Sequence, residues 1–321
     1  MGTPTEDYRV LITEPLASEA VAWLSEHAEV IHGRSDDRGF DAQLSIADAL
    51  IVRTYTNVNE RLLTKAPRLR VVGRAGVGFD NIDLNACQAR NIPVVYTPDA
   101  NTEAVVAYVY ASILNHFRPV TSLTSSRSLN DWQTLRNANV AQREPNELTL
   151  GILGLGRIGK RVAEIAHAFR MPAIYHDLFD IPQDNRAGAE PVSLDDLLAR
   201  SDVLTIHIDG RASNHHFVAQ NEFASMKHHV LFINSSRGAV VHTESAARFF
   251  SEHEKAFGLF DVHHPEPIPG DYPLLNLPNV KLTPHIAGRT RRSLRRMSEV
   301  VHDVYAVLCG NQPENPAVPI E

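Results

Sequence analysis

The stretch Leu148–Lys160, LTLGILGLGRIGK, constrains this chain more than any other. A run rich in leucine and isoleucine leads straight into GLGRIG, and that string opens a helical pattern from Lys160 to Ala166. A strand that turns on glycines into a helix begins a βαβ unit, and in that setting the glycine spacing predicts a dinucleotide site. Gly154 allows the turn, Gly156 lets a pyrophosphate approach bare backbone, and Gly159 lets the helix lie close on its strand. The first helical turn then offers unsatisfied N–H groups and a partial positive charge to the phosphates.

The rest of the chain repeats the same grammar. Before the glycine turn, strands at Tyr8–Ile12, Glu29–His32, Ala49–Val52, Leu69–Gly73 and Ile92–Tyr96 alternate with helices at Ser18–Ala28, Asn59–Lys65 and Asn81–Arg90. After it, strands at Ala173–His176, Val203–His207, Val230–Ile233, Ala256–Phe260 and Val280–Leu282 alternate with helices at Leu194–Ala199, Asn221–Met226 and Thr243–His253. Repeated βα units with short connections predict an α/β fold with mostly parallel sheets covered by helices on both faces. At 321 residues the chain is long for one core, so two domains are expected. Between the two series lies Thr102–Phe117, a helix apolar enough to need burial on more than one side. An interdomain or intersubunit seat and an internal core position both satisfy that need. Thr121–Gln142 reads as a polar connection, and the tail from Pro313 as irregular.

Composition removes several classes of function. A formal charge of −7 argues against non-specific nucleic-acid binding, which rests on basic patches. No run reaches the roughly 20 apolar residues of a membrane span, and the N-terminal MGTPTEDYRV lacks a signal-peptide layout. Cys87 and Cys309 are the only cysteines and both sit in apolar surroundings, so a reducing cytoplasm is expected rather than a disulfide framework. The small number of chemistry-bearing residues at strand ends then matters most.

Asp177 stands 18 residues beyond Gly159, at the end of the next strand. A carboxylate there accepts the adenosine ribose hydroxyls of NAD and repels the extra phosphate of NADP, and no arginine follows at Leu178 or Phe179. In Gly73–Asp83, GRAGVGFDNID, the glycines at 76 and 78 bare consecutive N–H groups that can form an anion nest, with Arg74 beside it. Arg237 in INSSRGAVV, Glu266 in DVHHPEP and His285 in LTPHIAGRT each follow a strand of the second series. That is the carboxyl edge where ligands bind in such sheets. A histidine oriented by a carboxylate exchanges a proton near neutrality, and an arginine holds both oxygens of an α-keto carboxylate. These are the parts a 2-hydroxy-acid dehydrogenase needs.

VRTYTNV, VVGRAGVGFDNID, GILGLGRIGKRVA, INSSRGAVV, DVHHPEP and LTPHIAGRT resemble, in order, the blocks of the D-isomer-specific 2-hydroxyacid dehydrogenase family. The resemblance extends over nearly the whole chain. It implies two Rossmann-like or flavodoxin-like domains, with an NAD-binding domain (residues 101–289) inserted into a discontinuous substrate domain (1–100 plus 290–321). It implies His285 as general acid–base, Glu266 as its partner and Arg237 as the substrate-orienting cation. Cofactor contacts are implied from Gly154, Gly156, Arg157, Ile158, Gly159, Asp177, Ile208, Ser235, Ser236, Arg237, Asp261, His285 and Gly288. Gly76, Val77 and Gly78 would hold the carboxylate of a small anionic 2-hydroxy or 2-keto acid. Arg53 and Arg74 look like the arginines that phosphoglycerate dehydrogenases place around a phosphorylated substrate, which favours 3-phosphoglycerate. Glyoxylate or hydroxypyruvate reduction is the alternative. The chain is too short for the regulatory domain appended to many phosphoglycerate dehydrogenases. A homodimer through the cofactor domain is implied as well. The corepressors that share this fold supply a rival of another class, an NAD-sensing interaction protein.

Some residues depart from the family pattern. His263 replaces an aromatic residue, His242 an Asp or Asn, and HIDGRASN a His-x-Pro-Leu run. His215–His216, His228–His229 and His263–His264 are adjacent pairs, whose side chains point apart, so no metal site is expected. Arg291, Arg292, Arg295 and Arg296 form a basic face, read as solvated.

Overall fold

The computed structural model describes residues 8–318; the readings of residues 1–7 and of the last three tail residues lie outside them. The chain divides into two compact units, one formed by residues 1–101 and 289–321, the other by 102–288.

The first unit holds strands β1 (Arg9–Ile12), β2 (Glu29–His32), β3 (Ala49–Val52), β4 (Val71–Arg74) and β5 (Val94–Tyr96), with helices α1 (Ser18–Ser25), α2 (Phe40–Ile46), α3 (Glu60–Thr64) and α4 (Leu84–Ala89). The strands form one parallel sheet in the order β2-β1-β3-β4-β5. The β3 sequence ALIV is buried on both faces, as a central parallel strand requires. Helix starts are marked by side chains: Asn59 accepts from Leu62 N–H and Asp83 from Ala86 N–H. Each such cap is worth about 1 kcal/mol. The expected helix from Asn81 therefore begins later, because Ile82 is spent on a bridge to Val58 and Asp83 is the cap.

The second unit opens with α5 (Thr102–Phe117) and α6 (Leu129–Ala138). It continues through β6 (Leu150–Leu153), α7 (Arg157–Ala168), β7 (Ala173–His176), β8 (Glu190–Pro191), α8 (Leu194–Arg200), β9 (Val203–Ile206) and α9 (Gln220–Ala224). It closes with β10 (Leu231–Asn234), α10 (Thr243–Glu252), β11 (Phe257–Phe260) and β12 (Val280–Leu282). Its seven strands are all parallel, in the order β12-β11-β10-β9-β6-β7-β8. The order reverses direction between β6 and β9, so the crevice at their carboxyl ends is the expected ligand position. The apolar helix α5 is a core element here: Val105, Val106, Val109, Tyr110 and Ile113 are buried in the cluster that also holds Val162 and Ala166 of α7. The Tyr110 hydroxyl donates to Val162 O at 2.6 Å.

Helices α11 (Arg291–Ser298) and α12 (Val300–Leu308) return to the first unit. Val300, Val301, Val304 and Leu308 are buried against Val10, Ile51 and Val71 of the first sheet. Of the four arginines expected to form a solvated face, Arg291, Arg292 and Arg295 are exposed and Arg296 is half-buried. Two expectations need correction. The segment 121–142 contains a helix, α6, capped by Ser128 but burying none of its residues, so it left no apolar stripe in the sequence. The tail is not wholly irregular: Pro316 bridges Val95 antiparallel, and Ala317 N–H donates to Val94 O at 2.8 Å.

Candidate active site

The carboxyl ends of β6, β7 and β9 build a cradle. Gly154 has φ +93, a left-handed conformation, and a Cβ there would fall 2.8 Å from Ile208 Cγ2 and 3.0 Å from the His207 main chain. Gly159 is more tightly held, since its Cβ would lie 2.1 Å from Gly154 O. Over Gly156, by contrast, a Cβ would meet nothing within 4 Å, and this residue caps the N-terminus of α7. Open space thus lies where the first N–H groups of the helix, those of Arg157 and Ile158 onward, attract phosphate. Asp177 ends the next strand and accepts Leu155 N–H at 2.6 Å and Phe179 N–H at 2.9 Å. The cradle fits a dinucleotide with an unphosphorylated ribose.

The carboxyl ends of β10, β11 and β12 form the neighbouring row. After β10, fully buried Asn234 braces the turn: its amide donates to Arg237 O at 3.0 Å, and its oxygen accepts Ser236 N–H at 3.1 Å. Arg237 Nη1 donates to Ser236 O at 2.8 Å. After β12, His285 adopts φ +53, unusual for a residue with a side chain. Its N–H is held by Asp261 O at 2.8 Å and Thr283 O at 3.0 Å. His285 Nδ1 lies 2.9 Å from Glu266 Oε2. Burial pushes the Glu266 carboxyl up, but the bonds from His285 and from His263 N–H outweigh it and hold the group below the usual carboxylate range. Glu266 therefore stays charged opposite the ring.

Three residues expected at the ligand also make bonds within the chain. Asp261 is fully buried, and its carboxylate accepts Thr283 Oγ1 at 2.6 Å, Ile286 N–H at 2.8 Å and Ala287 N–H at 2.7 Å. It fastens the turn that carries His285. The Ser236 hydroxyl donates to Asn234 Oδ1 at 2.9 Å, inside the brace, whereas buried Ser235 Oγ has no partner among the described residues. In the first unit, Gly76 N–H is taken by Arg74 O at 2.8 Å. The N–H groups of Val77 and Gly78 bond no described residue. Arg74 folds over this turn, its Nη1 donating to Ala75 O at 2.9 Å. Arg53 leaves the end of β3, where its Nη1 donates to Pro15 O at 3.0 Å. Arg157 and Gly288 stand at the N-terminus of α7 and just past the His285 turn.

The sequence of the second unit matches a family profile described as the NAD binding domain of D-isomer specific 2-hydroxyacid dehydrogenases, over residues 110–287. The chain is 35% identical to the glyoxylate reductase of Aeropyrum pernix, across 96% of this chain and 95% of that one. It is 31% identical to the D-3-phosphoglycerate dehydrogenase of Archaeoglobus fulgidus, covering 97% of this chain but 59% of that protein. Among solved structures, D-lactate dehydrogenase of Aquifex aeolicus, complexed with NAD and lactic acid, matches with a TM-score of 0.81 and 29% identity over 98% of this chain and all of that one. The chain belongs to the D-isomer specific 2-hydroxyacid dehydrogenase family.

NAD is thus the cofactor of this dehydrogenase, and the cradle around Gly156 is where the chain can hold it. The departures of this 2-hydroxyacid dehydrogenase from its family's pattern acquire local reasons. His242 does the work of a capping carboxylate: its Nδ1 accepts Ser245 N–H at 3.3 Å and starts α10. In HIDGRASN, Asp209 and Arg211 pair at 2.5 Å and the Asn214 amide donates to Asp209 O at 3.0 Å, so polar bonds brace the loop, while Ile208 still lies against Gly154. His207 is half-buried: its Nε2 lies 3.0 Å from Thr205 Oγ1, desolvation pushes the ring's pKa down to about 3, and its Nδ1 lacks a partner among the described residues. Sequence reasoning overlooked Asn234, Thr283 and Tyr108, whose hydroxyl lies 2.6 Å from Thr283 Oγ1. Asn234 and Thr283 could have been signalled only by lying within two residues of Ser235 and His285, and Tyr108, in α5, carried no signal at all. Among the described residues no group of three or more His, Cys, Asp or Glu side chains is arranged to hold a metal, and no helix is long and apolar enough to cross a membrane.

Proposed function

We propose that the protein interconverts a D-2-hydroxy acid and its 2-keto acid, and that 3-phosphoglycerate and 3-phosphohydroxypyruvate are the pair it serves. The observation that carries the reaction is the 2.9 Å contact between His285 Nδ1 and Glu266 Oε2 at the end of β12. A carboxylate accepts only, so Nδ1 bears the proton and Nε2 is left to exchange one with the substrate hydroxyl. Glu266, kept charged, steadies the ring when it carries both protons. Arg237 binds the substrate carboxylate or polarises its carbonyl. Within the first unit, the Val77 and Gly78 N–H groups form a nest suited to an anion. NAD, when bound, supplies or accepts the hydride. Arg53 and Arg74 supply the positive charge that a distal phosphate calls for.

Following NADH absorbance with a panel of 2-keto acids tests the activity, and silence with every acid would remove it. Replacing Arg53 and Arg74 together by alanine tests the substrate. Each lost charge-assisted bond is worth roughly 1.5–3 kcal/mol, so losing both should raise KM for the phosphorylated acid by about 100-fold or more. KM for glyoxylate should move far less. An equal rise for both acids would favour the second reading, a glyoxylate or hydroxypyruvate reductase, which the 35% identity to a glyoxylate reductase supports.

We also infer a homodimer formed through the NAD-binding unit. Val120, Leu129 and Val140 are 92, 74 and 63% exposed, and α6 buries nothing within the chain. Exposed apolar side chains concentrated in one segment of the chain suit a protein-contact surface. Light scattering should give twice the chain mass at micromolar concentration, and Leu129→Glu with Trp132→Glu should halve it. A monomeric parent protein would end the inference.

A further inference from the structure

We propose that His263 is a positioning residue that holds the His285–Glu266 pair in register for proton exchange, an inference that rests on reading that pair as the acid–base. Three contacts converge on it. Its backbone N–H donates to Glu266 Oε1 at 2.8 Å. Its ring Nε2 lies 2.9 Å from Thr283 O, the same carbonyl that accepts His285 N–H at 3.0 Å. On its other side lies Gly238, the residue after Arg237, where a Cβ would fall 2.0 Å from the His263 main chain. Residue 263 thus touches the main chain or side chain next to each member of the catalytic trio.

The ring chemistry separates this role from simple space filling. A carbonyl only accepts, so Nε2 carries the proton and Nδ1 is a bare acceptor. That Nδ1 is buried and has no partner among the described residues, in a side chain only 9% exposed whose ring meets Tyr272 edge-on at 5.6 Å. A phenyl ring would fill the same space without shutting a polar atom away from water, which is unfavourable. The polar ring gives one thing in return, the bond to Thr283 O.

That bond bears on catalysis through the backbone. His285 holds a left-handed φ of +53, a conformation that persists only where the surroundings impose it. The Thr283 carbonyl must face the His285 N–H for this turn to close. A second donor from His263 fixes the direction of that carbonyl, while the His263 N–H fixes Glu266 on the facing loop. Both halves of the pair are referred to one residue.

Two substitutions test the role. His263→Phe keeps a ring against Tyr272 and removes the donor; His263→Gln keeps a donor within reach of the carbonyl. The phenylalanine variant should melt cooperatively and bind NADH like the parent, yet lose about 10- to 100-fold in kcat with KM for the keto acid within about 3-fold, as expected when reacting groups shift by a fraction of an ångström. The glutamine variant should recover most of kcat. His263→Leu replaces the phenylalanine variant if the latter does not fold. Parental kcat in the donor-less variant, or an equal loss in the glutamine variant, would overturn the positioning role while leaving the acid–base pair standing. His285→Asn is run beside them: parental turnover there would remove the pair and the role of His263 with it.

Discussion

Asparagine in place of His285 should lower kcat by about 100- to 10,000-fold, the range that a positioned general acid–base contributes. Asparagine is close in size and can keep the polar contact with Glu266. It also tolerates the left-handed φ of +53 better than most residues, so the turn should survive. What disappears is an atom able to give and take a proton near neutrality. The cofactor cradle stands on other strands, around Gly154, Gly156 and Asp177, and His285 is one implied cofactor contact among many, so NADH affinity measured by fluorescence should stay within about 3-fold. Loss of turnover with intact NADH binding assigns the proton step to His285. Retained turnover refutes it, and loss of both would mean that the substitution had disturbed the fold.

The second large effect belongs to stability and lies at the opposite edge of the same sheet. Asp202 precedes β9, and its carboxylate, 5% exposed, is met by Arg143 at 2.9 Å, Lys227 at 2.9 Å and Thr149 N–H at 2.9 Å. Its backbone joins the starts of three strands: Asp202 N–H donates to Thr149 O, and Leu231 N–H to Asp202 O, each at 2.9 Å. Burial pushes this carboxyl up, yet the bonds from Arg143, Thr149 and Lys227 win and hold it far below the usual range. Removing one member of a buried ion pair costs about 3–5 kcal/mol, and the partial exposure of both cations places Asp202→Asn near the lower figure. A depressed folded-state pKa stabilises fully above the ordinary carboxylate range and progressively less as pH falls through it. Urea titrations should show the parent losing stability as pH drops below about 5, with a shallower decline in the variant. The kcat of the folded variant should be unchanged. Equal slopes for the two proteins would remove Asp202 from the acid sensitivity.

What could be read in advance was local. The glycine turn declares itself because each glycine answers a separate steric need within six residues, and Gly159 against Gly154 O bears this out in space. Arg237, Glu266 and His285 could be placed together because parallel strands deliver their carboxyl ends to one edge. What could not be read in advance depends on the path of the chain. Whether Asp261 faces a ligand or its own chain depends on which donors reach it, and those come from residues 283, 286 and 287, more than twenty positions on. Gly76 looks available until the turn carries its N–H to Arg74 O. The helix at Leu129–Ala138 shows no apolar periodicity because nothing within the chain covers it. In each case composition names the groups, and only the path of the backbone decides how their lone pairs and protons are spent.

The two-part construction of the first unit also imposes an order in time. Val300, Val301, Val304 and Leu308 close the face of a sheet whose strands all lie before residue 97. A ribosome therefore delivers every strand of that sheet, and then the whole of the second unit, before the helix that covers it exists. During synthesis the second unit has all its own parts first, and can complete its core while Val10, Ile51 and Val71 still lack a lid. The nascent protein carries a sheet face covered only by α1 for the length of nearly two hundred residues of translation, so the first unit completes its core last.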